Sequence, residues 1–350
     1  MKLKILIIGL LVSSFAMSQT LEETLQQLLA DNAKGYMNPV ATAFGSGMNS
    51  GTFHTAKPHK MLGFDVKINA AFVTPSDSQL EYDFVLPTSI TVPMDVQGTI
   101  YNVTLDGALL FPGEHKSSTF FGEDQANPIS PDATYAETAI KDQLVNTYGV
   151  PQLIADAIPT SELTSAINEL TLYTPIGSGL TFFGAVVPQV SIGLPMSIEL
   201  MLRGMPEIDL PNDLGKFSFI GYGAKIELNQ FIPIPNIALP RVSVGYYMTN
   251  MSIGDLISSK NSIATLQVSK SIPFITVYGG FGLESSSLDV VYTPDASTGL
   301  TKDIEFNLEG ENSFRTTVGA RLKLFLLTIN ADYNVGEFNT LNFGFGLTLR

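Results

Sequence analysis

FRTTVGARLKLFL, residues 314–326, separates cleanly by parity. Phe314, Thr316, Val318, Ala320, Leu322, Leu324 and Leu326 fall on one side of an extended chain. Arg315, Thr317, Gly319, Arg321 and Lys323 fall on the other. A period of two is that of a β-strand, here with one oily face and one charged, wet face. The pattern returns at Asn342–Arg350, where Phe343, Phe345, Leu347 and Leu349 share the oily side. A soluble sandwich also alternates. Many such strands behind an export leader predict a barrel with lipid outside and water inside.

The leader is residues 1–18. Lys2 and Lys4 precede an apolar run from Ile5 to Phe15, and Ala16-Met17-Ser18 supplies a small-x-small cleavage site before Gln19. The run is too short to cross a hydrocarbon core of ~30 Å. No later stretch has the ~20 continuous apolar residues of a membrane helix, yet the mean hydropathy is +0.21. A transmembrane barrel reconciles the two, because lumen-facing polar residues dilute its lipid-facing ones. The expected location is the outer membrane of a Gram-negative bacterium.

The chain has no Cys, which removes disulfides, thiolate metal sites and cysteine nucleophiles. Trp is also absent, so Tyr and Phe must provide any aromatic girdle. The formal net charge is −14, and the leader carries two basic residues and no acid, so the exported chain is more acidic still. Such a chain is a poor nucleic-acid binder. The acids crowd into loops, as at Glu123-Asp124 and Glu207 to Asp213, and read as a solvated rim.

Catalytic and cofactor signals are lacking. His54, His59 and His115 are the three histidines, and Pro58 opposes a helix that would align the first two. No Gly-x-Ser-x-Gly elbow and no phosphate-binding or dinucleotide fingerprint occurs. No metal, no cofactor and no enzymatic activity are expected.

Residues 19–60 precede the barrel. Thr20 to Lys34 has a capping-box start and Leu21, Leu25, Leu28 and Leu29 on one face, and Gly35 is placed to end this helix. Residues 35–60 are rich in Gly, Ser and Ala. Ordered inside a barrel they would form a plug or hatch; outside it, a tether. Residues 61–350 carry the strands. The first is at Phe64–Phe72, followed by Leu80–Val92 and Tyr101–Phe111. Residues 112–180 break the rhythm and hold helical stretches at Tyr135–Tyr148 and Ser161–Leu172. Strands resume at Thr181 and continue to the end. The fold class is all-β: a transmembrane antiparallel β-barrel of about 12–14 strands with an N-terminal plug. A periplasmic C-terminus places the turns near 93, 195, 272 and 326 inside, most of them short, with Phe231 to Pro240 as a Pro-rich, apolar exception. The longer loops 112–180, 204–216, 252–260 and 285–312 then lie outside, as such barrels prefer.

Alternation assigns Asp65, Lys67, Asp106, Lys225, Glu227, Arg315, Arg321, Lys323 and Asp332 to the lumen. Charges there must be paired or hydrated. They form either an ion-pair network that holds the plug or a polar conduit, and their mixed sign argues against strong ion selectivity. Phe53, His54, Lys57 and His59 of the hatch, with Phe120 and Phe121 of the long loop, combine aromatic surface with cations. That combination suits an amphipathic carboxylate.

Asn38-Pro39-Val40, ahead of the first strand, is similar to the Asn-Pro-Ala hatch motif of the FadL-type outer-membrane transporters of hydrophobic compounds. Gly221-Tyr222-Gly223-Ala224-Lys225 and the closing hairpin also look like strands of that group. The resemblance implies a hatch inside a 14-stranded barrel and passive uptake of small hydrophobic or amphipathic compounds. The chain departs from it in ending on Leu349-Arg350 rather than an aromatic. The alternative is a non-transporting barrel whose loops 112–180 and 285–312 bind a protein partner. A monomer, embedded in outer-membrane lipid, is expected in either case.

Overall fold

A computed structural model describes residues 30–210, 215–232, 239–292 and 304–349. The expected leader and most of the expected helix at Thr20 to Lys34 lie outside them. Helix α1 (Ala30–Met48) comes first, and an irregular stretch leads to strand β1 (Phe64–Thr74). A long insert follows. It holds β2 (Glu81–Asp83), β3 (Ser89–Val96), β4 (Thr99–Asp106), α2 (Gly107–Leu110), β5 (Lys116–Ser118) and β6 (Pro128–Ile129). It continues with α3 (Ala133–Asn146), α4 (Gln152–Asp156), α5 (Thr160–Asn168) and β7 (Leu172–Tyr173). Then come β8 (Phe183–Leu194), β9 (Ile198–Asp209), β10 (Lys216–Glu227), β11 (Arg241–Ile253), β12 (Ile257–Ser271) and β13 (Ile275–Tyr292). The chain finishes with β14 (Ile304–Glu309), β15 (Phe314–Leu324), β16 (Leu327–Val335) and β17 (Asn339–Leu349).

Ten of these strands close a cylinder. The order β12-β11-β10-β9-β8-β1-β17-β16-β15-β13 is sealed by pairing of β12 with β13, and β14 pairs only with the last third of β13, from Ser287 to Tyr292. All wall pairs are antiparallel. The wall inverts the burial of a soluble protein. On β17, Phe343, Phe345 and Leu347 point outward and are about half exposed, whereas Thr340, Asn342 and Thr348 point inward and are buried. Closure leaves no free sheet edge where the ladders are complete.

The count of ten is below the expected 12–14. Leu80–Val92 and Tyr101–Phe111 do alternate, but they form the β3–β4 hairpin of the insert, not wall. A two-residue turn at Gln97-Gly98, both with positive φ, joins them in the form that hairpin twist favours. Val103 and Leu105 face Ile140 and Leu144 of α3 in a core of their own.

Helix α1 occupies the lumen. It runs through Gly35 to Met48, so Gly35 does not cap it. A Cβ on Gly35 would lie 2.3 Å from the Tyr82 ring, so glycine is needed there for close approach to β2. Pro39 sits within the helix and removes the donor that Gly35 O would otherwise receive. The end near Ala33 and Tyr36 meets the insert. Asn32 exchanges two hydrogen bonds with the Val85 backbone (2.7 and 2.8 Å), and Phe120 N donates to Tyr36 O at 3.0 Å. The opposite end lies deep in the barrel. Residues 49–60 continue downward and leave at the end formed by the β8–β9, β12–β13 and β15–β16 turns. The insert thus covers the upper mouth, and the plug descends from it.

Candidate functional site

The plug is held by charges that the wall points inward. An α-helix leaves its last four carbonyls without intrahelical donors. Here all four are satisfied. Asn49 N and Ser50 N donate to Gly45 O and Gly47 O. Arg315 Nη2 donates to Ser46 O at 2.8 Å, and Arg203 Nη1 to Met48 O at 2.6 Å. Two wall arginines therefore supply the positive charge favoured at a helix C-terminus. Arg315 Nε also pairs with Glu284 at 2.6 Å, and Asn49 donates to the same carboxylate at 2.9 Å.

Lower down, Glu199 gathers three groups. It accepts from His59 N at 2.9 Å, meets His59 Nδ1 at 2.7 Å and pairs with Lys225 Nζ at 2.9 Å. Lys225 also donates to Thr55 O at 3.0 Å. Lys67 Nζ reaches His54 Nδ1 (2.7 Å) and Gly51 O (3.2 Å), and Asp65 lies 3.4 Å from His54 Nε2. Burial, and then the surrounding cations Lys67, Arg321 and Lys225 and the neighbouring His59, push His54 well below the ordinary imidazole range. A neutral ring accepting from Lys67 at Nδ1 fits that shift.

The residues expected at the lumen and ligand region divide as follows. Asp65, Lys67, Lys225, Glu227, Arg315, Arg321 and Asp332 are buried inside the barrel, and Lys323 is half-buried at its lower mouth. Glu227 pairs with Arg241 at 2.6 Å, and Asp332 accepts from Tyr278, Asn334 and Asn342. Asp106 is a correction: it is exposed and caps α2 by accepting from Leu109 N, because its strand belongs to the insert. The expected ligand cluster is not one site. Phe53 packs on Tyr278 and His54 joins Lys67, both within the lumen. Phe120 and Phe121 lie at the upper end against Tyr36 and Phe338. Lys57 and His59 line the lower mouth. Asn38 donates to Glu311 at 2.7 Å, tying the hatch motif to the segment before β15.

A cavity of about 910 Å³ crosses the wall elsewhere. The β8–β9 ladder comprises Gln189↔Arg203 to Leu194↔Ile198 and stops there. Above it, residues 183–188 still pair with β1, and most of residues 204–209 with β10, but the two strands do not pair with each other. Six residues of strand correspond to a seam ~20 Å tall. Pro188 and Pro206 stand beside it, and neither has an N–H to offer a ladder. Outward Val190 and Leu202 and inward Met205 and Phe219 line the cavity together with Lys67, Gln189 and Arg203. Arg203 Nε is buried there without a hydrogen-bond partner. The sequence reading missed this site. Two prolines within neighbouring strands were its available signal.

No group of three or more His, Asp or Glu able to hold a metal occurs among the described residues. No helix among them is long and apolar enough to cross a membrane, which says nothing about crossing by strands. No curated protein matches the chain. A family model does match, over residues 1–349, and the chain accordingly belongs to DUF6588, a family of unknown function.

Proposed function

We propose that this protein is an outer-membrane barrel that passes a small hydrophobic or amphipathic compound sideways through the β8–β9 seam. The carrying observation is the cavity of about 910 Å³ at an interrupted ladder, which joins outward apolar side chains to inward cations. Its size suits a small-molecule site. The axial route is obstructed by α1 and the insert, so a lateral route needs the least rearrangement. An apolar tail would partition among Val190, Leu202, Met205 and Phe219. A carboxylate head would be drawn to Arg203 Nε. The same guanidinium holds Met48 O and Ser50 O, so a bound head competes with the plug for Arg203. That competition is a route to hatch displacement and release. The reading gives the protein no catalytic step, and it functions as a monomer.

The test is uptake of labelled fatty acids and neutral lipophiles by a deletion strain complemented with wild type or Gly204→Phe. Gly204 lines the cavity, and its Cβ direction meets only Phe219 O at 3.2 Å and Ile220 Cα at 3.9 Å. The bulky ring should cut uptake about ten-fold without unfolding the barrel. Equal uptake by the deletion strain and the wild type contradicts transport.

A second reading, a barrel that docks a protein partner, is favoured by one observation. The insert has its own core and leaves Leu153, Tyr173 and Ile100 more than 60 % exposed. Removal of the insert surface would then abolish partner capture and leave uptake unaffected.

A further inference from the structure

We infer that the lower mouth of the barrel is an anion site that clamps the plug to the wall. It is distinct from the seam and does not depend on transport. A cavity of about 230 Å³ opens there, where residues 55–60 leave the lumen. Lys57 and Lys60 enter its lining from the plug, and Arg321 and Lys323 from β15. The hydroxyls of Ser271 and Thr276 add neutral donors, and among the described residues no carboxylate side chain lines the cavity. In a chain of net charge −14, four cations around one small cavity are a local reversal of sign.

Arg321 is the independent observation. It is 8 % exposed, and its Nε is buried without a hydrogen-bond partner. No ion pair or hydrogen bond holds its guanidinium among the described residues. The acids nearest in effect are Asp65 and Glu199. Glu199 is already taken by His59 and Lys225, and Asp65 faces His54. The other lumenal arginines, Arg203 and Arg315, both hold carbonyls of α1. Arg321, whose fork holds no carbonyl of α1, is left to face this cavity, and its geometry matches the oxygens of a phosphate or carboxylate. A buried guanidinium beside three further cations is unfavourable until an anion neutralises it. The ligand class is therefore a compact oxyanion, best a phosphate. Its source is either a free ion or the headgroup of a phospholipid at the rim. Because the cations come from both plug and wall, the bound anion would bridge the two and stabilise the plugged state.

The full exported chain in non-ionic detergent would be titrated with sodium phosphate against sodium chloride of equal ionic strength, following Tm. A second arm would compare nanodiscs of phosphatidylglycerol and phosphatidylcholine. A saturable rise with phosphate identifies the free ion, and a rise confined to phosphatidylglycerol identifies the headgroup. In either case Arg321→Gln and Lys57→Gln should weaken the response about ten-fold. Lys57 is exposed, so its variant carries the test if Arg321→Gln does not fold. No saturable response in either arm, or variants that respond as wild type does, would overturn the site.

Discussion

Arg315 Nε lies 2.6 Å from Glu284 Oε1 inside the barrel, while the same guanidinium donates to Ser46 O and Ser50 Oγ of the plug. One side chain thus joins β15, β13 and the end of α1. Removing one partner of a buried pair leaves an uncompensated charge, at a cost of about 3–5 kcal/mol.

Arg315→Met should therefore destabilise the protein by about that amount, read by chemical denaturation in lipid vesicles. It should also expose residues 46–56 to protease. Adding Glu284→Gln should recover much of the loss, because the buried charge is then gone. A single variant as stable and as protected as wild type would remove Arg315 from the plug anchor.

Gly35 and Tyr82 join plug and insert beside the Asn32–Val85 hydrogen bonds. Gly35→Ala places a methyl into the Tyr82 ring and should cost about 1–3 kcal/mol by overpacking. Tyr82→Ala in the same chain should remove most of that penalty. Additive losses in the double-mutant cycle would mean the two positions are not coupled.

His54 gives the pH dependence. Its folded value lies well below the ordinary 6.5, so the native state binds fewer protons than the unfolded chain between those two values. Stability then rises with pH across that window and falls as pH drops below about 6.5, by at most ~1.4 kcal/mol per pH unit. The groups facing the ring are Asp65, Lys67, Lys225, Arg321 and His59. Unfolding free energies from pH 7.5 to 5 should lose this slope in His54→Gln. An unchanged slope would assign it elsewhere.

The wall was legible because its outward positions are regularly apolar, even though inward positions near α1, such as Val73, Phe219, Met251 and Leu288, are apolar as well. Each of the ten strands contains an apolar/polar repeat such as that of Phe314–Leu324. The β3–β4 hairpin carries the same repeat for another reason. Val103 and Leu105 bury against α3, and a half-buried soluble strand has the same period as a lipid-facing one. The plug helix was hidden for the opposite reason. Residues 39–56 are buried nearly without interruption, so no amphipathic period marks them, and Gly45, Gly47 and Pro39 lower the local propensity. Arg203 and Arg315, by gripping its carbonyls, stabilise a helix that the local sequence disfavours. The inward charges could be read from parity. Their partners could not, since Glu199 and His59, or Asn38 and Glu311, are distant in sequence. The seam was least legible of all, because it consists of pairs that fail to form.

A cylinder of ten strands that faces lipid can be probed at single introduced cysteines, because the chain has none of its own. Single cysteines at Leu341, Asn342, Phe343, Phe345, Leu347 and Thr348 would be spin-labelled and reconstituted in bilayers. Relaxation by lipid-soluble oxygen and by a water-soluble nickel chelate would then be compared. A period of two is expected, with oxygen contact at Leu341, Phe343, Phe345 and Leu347 and little at Asn342 and Thr348. Uniform contact with the aqueous chelate along the strand, in a chain that stays monodisperse without detergent, would contradict it.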